Sequence, residues 1–155
     1  FEDEADRSEV LPLPADGGAE DALFLWARGL AAPFLEAGAS TTTTLVIAPR
    51  RGRLAHQAER PVPARLTWAA AREAIEVPAG RFDALVHTAV LEEGARWTLW
   101  TTADPTHLLL RWEDPRGAVG ELRASTRMRY WQRNQVGGEA DLEALGLNPR
   151  PPHTP

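Results

Sequence analysis

From Val77 onward, strand-length apolar runs are separated by connections too short for a crossover, which restricts the chain to antiparallel neighbours. Val77-Pro78-Ala79-Gly80 and Asp114-Pro115-Arg116-Gly117 place Pro second and Gly fourth, as type I turns prefer, and Asp114 suits the first position. Asp104-Pro105-Thr106-His107 begins the same way but lacks the glycine. Between and after these turns lie Phe82–Leu91, Trp97–Thr102, Leu108–Glu113 and Ala118–Trp131, and before them a long segment, Arg65–Val77. The pattern predicts a meander of about six or seven strands.

Upstream the period changes. Leu23, Trp26, Ala27 and Leu30 recur at helical spacing, with Glu20 and Asp21 in the first turn, so Ala19–Leu30 reads as an amphipathic helix ended by Gly29 and Pro33. Its polar face has no basic stripe, so it suits a place on a sheet rather than on a membrane surface. The β-branched run Thr41–Ile47 reads as a strand. Arg50-Arg51-Gly52-Arg53 is a basic hairpin turn into Leu54–Glu59, and Pro61 with Pro63 is expected to interrupt pairing before Arg65. Residues 1–18 form an acidic arm, 19–131 one β-rich domain and 132–155 a polar, proline-rich tail, in which Asp141–Leu145 makes a helical turn stopped by Gly146 and Pro149. The chain begins at Phe1 without a methionine or a signal-peptide pattern, as expected of a processed product or a segment of a longer protein.

A three-residue loop Glu92-Glu93-Gly94 sets the register of the central hairpin, opposing Leu91 to Ala95 and Val86 to Trp100. One face then carries Phe82, Ala84, Val86, Val90 and Trp100. The other carries Leu85, Ala89, Leu91, Trp97 and Leu99, with His87. Both faces are apolar, so both need a cover: the helix on one, and a second sheet, a barrel interior, a ligand or a protein on the other. Trp68, Trp97, Trp100 and Trp112 all fall in strands. As core residues they should have their indole N–H groups partnered; as a site they join Phe82 in an apolar-ligand or partner surface.

Catalytic signals are sparse. With no cysteine, the chain has neither disulfides nor thiolate metal sites. His56, His87, His107 and His153 show no metal-ligand spacing, and no cofactor motif is present. Asp104 and His107 lie across one turn, and Ser125 completes a formal hydrolase triad, but no nucleophile elbow surrounds that serine. Glu92 and Glu93 sit at a hairpin tip, where water disfavours acid–base catalysis.

Every one of the 17 basic residues is an arginine. Residues 1–22 hold eight acids against Arg7, which leaves 14 acids and 16 arginines in the body. Arg123, Arg127 and Arg129 share parity on the last predicted strand beside Tyr130 and Trp131, an arrangement suited to weak contact with an anionic polymer. The near-neutral body argues against nucleic acid as the partner. No apolar run reaches the roughly 20 residues of a membrane span.

The motifs Glu-Val-Pro-Ala-Gly-Arg-Phe-Asp-Ala (from Glu76 to Ala84), Leu-Trp-Thr-Thr-Ala-Asp-Pro (from Leu99 to Pro105) and Leu-Leu-Leu-Arg-Trp-Glu (from Leu108 to Glu113), followed by Glu121-Leu122, resemble a bacterial envelope family catalogued as domain of unknown function 3108. The resemblance covers roughly residues 65–130, and the family's N-terminal strand pair has no counterpart in residues 1–39. It implies an exported, extracytoplasmic β-domain, similar to open lipid-handling barrels, and carries over no catalytic residue.

The expectation is therefore a mainly β fold: an antiparallel meander forming an open or partly closed barrel or curved sheet, with one N-terminal helix packed on it. Its expected function is noncatalytic, binding an apolar or amphipathic ligand, such as a lipid, or a protein partner by edge-strand addition, as in a surface assembly. The alternatives are a hydrolase using Asp104, His107 and Ser125, or the anionic-polymer module.

Overall fold

The computed structural model describes residues 10–47, 60–92, 94–133 and 139–147. The expected basic turn at 50–53, the strand 54–59, the acidic residues 1–9 and the proline-rich end lie outside them. The chain forms one seven-stranded sheet whose spatial order repeats chain order, a curled half-barrel accompanied by a short helix. The strands are β1 (Gly18–Ala19), β2 (Ser40–Val46), β3 (Pro61–Val77), β4 (Gly80–Leu91), β5 (Arg96–Thr102), β6 (Leu109–Glu113) and β7 (Val119–Glu121). All neighbours are antiparallel except β1, which lies parallel to β2.

Turn chemistry sets the registers. Val86 pairs with Trp100, and the Leu91 N–H donates to the Ala95 carbonyl at 2.9 Å, as the three-residue loop predicts. Gly94 takes φ 81°, a left-handed conformation that costs a glycine nothing. Gly117 does the same at φ 81° in the Asp114 turn, where the Asp114 carboxylate accepts the N–H groups of Arg116 and Ala118. In the Asp104 turn that left-handed place falls to His107, at φ 42°.

Three elements depart from the sequence expectation. Pro61 and Pro63 lie inside β3 rather than interrupting it. They pair with Val46 and Thr44 of β2, while the β3–β4 ladder begins only at Ala64 and Leu91, so neither missing N–H breaks that ladder. The predicted helix Ala19–Leu30 shortens to a 3-10 turn (Glu20–Ala22) and α1 (Leu23–Trp26), because Ala19 belongs to β1. Its end is a Schellman motif: Leu30 N–H reaches Leu25 C=O at 2.9 Å, Gly29 N–H reaches Trp26 C=O at 2.9 Å, and Gly29 has φ 69°. The last strand stops at Glu121 instead of Trp131. A 3-10 turn (Tyr130–Gln132) and α2 (Glu139–Ala144) follow, the latter ending at Gly146.

Both faces of the central hairpin are buried, each by different parts of the chain. On one face Ala89, Leu91 and Leu99 pack with Leu45, Val62, Ala64 and Leu66 under Leu23, Trp26 and Ala27 of the α1 segment. Each fully buried leucine there contributes about 1.5–3 kcal/mol. On the other face Ala84, Phe82, Val86 and Trp100 pack with Ile75, Val77, Leu110 and Leu122. Two bulges make this second cover. Ala69, Ala70 and Ala71 stand against Val86 alone between the pairs Trp68–His87 and Arg72–Leu85, and Leu110 is the extra residue between Trp100–Arg111 and Thr101–Leu109. Extra residues bend and twist a strand. The sheet curls until the Ala79 N–H donates to the Leu122 carbonyl at 2.9 Å, joining the β3–β4 turn to the end of β7. The second cover of the doubly apolar hairpin is thus the sheet itself.

Candidate functional site

The five aromatic residues singled out from sequence divide between the two faces. Trp97 and Trp112 lie on the helix-covered face, each meeting Phe24 edge-on with centroids 5.6 Å and 5.9 Å away. The Trp97 indole donates to Glu20 Oε1 at 2.7 Å, and Glu20 is fully buried. Sequence reading placed Glu20 only in a helical first turn; nothing in its local pattern signals an acceptor for a tryptophan distant in sequence. Trp68 lies farther along the same face, edge-on to His87 at 4.8 Å and to His107 at 5.9 Å. Phe82 and Trp100 occupy the opposite face, inside the curl, with the Arg111 guanidinium 5.3 Å from the Trp100 ring.

Expected indole bonding is present at Trp97, and also at Trp26, which donates to the Pro33 carbonyl at 3.0 Å. The indole N–H groups of Trp68 and Trp100 meet no acceptor among the described residues.

His87 is a core residue. Its Nε2 lies 2.9 Å from the Thr101 hydroxyl, and its ring is enclosed by Trp26 and Trp68. Burial, and second the charge of His107, lower its pKa from 6.5 to about 4, so it is neutral at physiological pH. The Asp104 carboxylate is taken up by Thr106, accepting both its backbone N–H at 2.8 Å and its hydroxyl. That hydroxyl foremost holds Asp104 below the usual carboxylate range. His107 instead places Nδ1 3.3 Å from the Thr102 carbonyl, and Ser125 is an exposed residue of the irregular segment after β7. His56 and His153 lie outside the described residues. Among the described residues no group of three or more His, Asp or Glu side chains could hold a metal ion.

Arg123, Arg127 and Arg129 are exposed along residues 122–129, which form no strand. A cleft between α1 and β2, bounded by Asp16, Ala22, Trp26, Pro33, Thr43 and Leu66, has a volume of about 20 Å³. That is room for a water molecule, not for a lipid chain. No helix among the described residues is long and apolar enough to cross a membrane.

Among the described residues, part of the sheet backbone also lacks a partner strand. On its outer side β3 pairs with β2 only as far as Thr67, and Trp68 then donates to the Ala39 carbonyl at 3.0 Å and accepts from the Gly38 N–H at 2.8 Å. A Cβ at Gly38 would stand 3.3 Å from that of Ala70, so the turn there covers the edge up to Ala70. From Ala71 to Val77 no described residue pairs with the outer side. Along this stretch Glu73, Ile75 and Val77 face Ala84, Phe82 and Gly80 of β4. By the alternation of an antiparallel ladder, the N–H and C=O groups of Arg72, Ala74 and Glu76 point outward.

The side chains of Ala71, Arg72, Glu73, Ala74 and Glu76 are exposed, and Arg72 contacts Asp83 at 3.1 Å on the surface. The two ends of the sheet differ sharply from this edge, since β1 has two residues and β7 three. Short end strands are a common guard against unwanted pairing; the β3 overhang is longer, and it carries the charged side chains of Arg72, Glu73 and Glu76 and the bulge at Ala69–Ala71 rather than a covering strand among the described residues. Sequence reading missed it, although the run Ala69-Ala70-Ala71-Arg72-Glu73-Ala74, small or charged at both parities, marks a strand with neither face fully buried.

The chain matches no family model, and no curated protein or solved structure matches it.

Proposed function

We propose that this chain is a noncatalytic β-domain that joins a protein assembly by accepting a strand along the outer edge of β3. One observation carries the reading: no described residue pairs with the backbone of Ala71–Val77 on that side, while the chain itself packs against both apolar faces of the sheet. An added strand gains main-chain hydrogen bonds there without any rearrangement of the core. Placement in the bacterial cell envelope rests on the resemblance of residues 65–130 alone. A lipid-carrier role has less support, because Trp100 and Leu110 pack together inside the curl with the partly buried Phe82 and Leu122 against them.

Ala74→Pro tests the reading. Proline removes an outward N–H that β4 does not use, a position where edge strands tolerate it. In native electrophoresis of envelope extracts from a bacterium expressing the tagged chain, the wild type is expected in a species larger than the chain and Ala74→Pro in the chain's own band. A variant that stays folded by circular dichroism and migrates with the wild type overturns the proposal.

A further inference from the structure

We infer that the strand received by β3 is β3 of a second copy of this chain, related by a two-fold axis through Ala74. The inference rests on the reading of this edge as a docking surface and names its occupant. In an antiparallel pair made by such an axis, facing residues lie on the same side of the joint sheet, and residues whose polar groups point outward must face one another. Arg72, Ala74 and Glu76 are those residues, which leaves few registers.

An axis at Arg72 sets arginine against arginine, and one at Glu76 sets glutamate against glutamate. One at Glu73 opposes the two Glu73 side chains, and one at Ile75 leaves Arg72 facing Pro78, which has no N–H. An axis at Ala74 places Arg72 of each copy opposite Glu76 of the other, making two opposite-charge pairs, with the small Ala74 side chains meeting at the centre. All three residues of each copy then donate and accept across the joint. The sheet continues from one curl into the next, and Pro78 marks the end of the register.

Sedimentation equilibrium of the purified full chain tests this, over a concentration range from micromolar to submillimolar. The wild type is expected to dimerise reversibly. Glu76→Arg replaces both opposite-charge pairs with like-charge pairs and is expected to weaken dimerisation about tenfold, as is Arg72→Glu. Because Arg72 also contacts Asp83 within its own chain, Glu76→Arg is the cleaner of the two. The combined swap Arg72→Glu with Glu76→Arg restores opposite charges and is expected to return affinity to within about threefold of wild type. Amide exchange of Arg72, Ala74 and Glu76 should slow as the dimer fills.

A wild type that stays monomeric overturns the second-copy inference, and so does a dimer indifferent to either charge reversal. Neither result touches the envelope-extract experiment, in which Ala74→Pro reports on any strand donor. A monomeric wild type together with an Ala74→Pro-sensitive assembly assigns the edge to a different protein.

Discussion

Acidification destabilises this fold through His87, and the size of the loss follows from where the ring sits. The residue has no exposed surface, and its neighbours are the Trp26 and Trp68 rings and the Thr101 hydroxyl, none of which can replace water around an imidazolium. Burial first, and the charge of His107 second, lower the folded-state pKa from 6.5 to about 4. Above 6.5 the ring is neutral in both folded and unfolded chains and His87 adds no pH dependence. As pH falls through the window from 6.5 to about 4, the unfolded chain takes up a proton that the folded chain refuses.

Stability then drops by about 1.4 kcal/mol per pH unit, roughly 2 kcal/mol by about pH 5 and about 3 kcal/mol over the whole window. Urea unfolding followed by tryptophan fluorescence, run in parallel on the wild type and His87→Leu, isolates this contribution from that of other groups. Between about pH 7 and about pH 5 the wild type is expected to lose roughly 2 kcal/mol more than the variant. Parallel profiles, or an NMR titration placing the His87 ring near its ordinary pKa, would refute the reasoning.

Two further substitutions probe the face beneath α1 and the end of the sheet. Glu20→Ala leaves the Trp97 N–H without its acceptor and is expected to cost about 1–3 kcal/mol in urea unfolding, with Glu20→Gln, which retains an acceptor oxygen, losing less. Equal losses in the two would show that the Trp97 contact is not what holds Glu20. Gly120→Ala drives a methyl group into the Trp112 indole, which lies across that glycine, and is expected to destabilise by about 1–3 kcal/mol with a shift in tryptophan emission. An unchanged melting temperature would mean that β7 can move away from β6 without disturbing Trp112.

What could be read from the sequence was what depends on neighbours along the chain. The Glu92–Gly94 loop determines the β4–β5 register because glycine takes the left-handed turn position, and from that register follow two apolar faces. Gly29 and Gly146 likewise mark where helices stop. Contacts between residues far apart in the chain left no such mark. Pro61 and Pro63 look like interruptions until β4 is seen to end beside them. The hairpin loop separates Trp97 from Phe82 and Trp100, but Trp68 and Trp112 cannot be assigned to either face until the bulges at Ala69–Ala71 and Leu110 are known. The unpaired edge of β3 depends on where β2 begins, a matter of comparing two strand lengths rather than of any residue. Glu20 was legible as a helix-start acid and illegible as a buried one, since burial there depends on Trp97, far along the chain.

The agreement between chain order and spatial order has a consequence for how the protein is made. In such a sheet every ladder closes over a short stretch of chain, so the entropy lost on joining two strands stays small and folding is fast for an all-β topology. During synthesis each new strand emerges beside a partner already formed, and the meander can grow by one hairpin at a time from β2 to β7. The curl is the exception, because the Ala79 bond to Leu122 cannot form until β7 has left the ribosome. Until that moment Phe82, Val86 and Trp100 lack the cover of Leu110 and Leu122. The nascent chain therefore passes through an interval in which one apolar face is open to water, and it is in that interval that aggregation competes with folding.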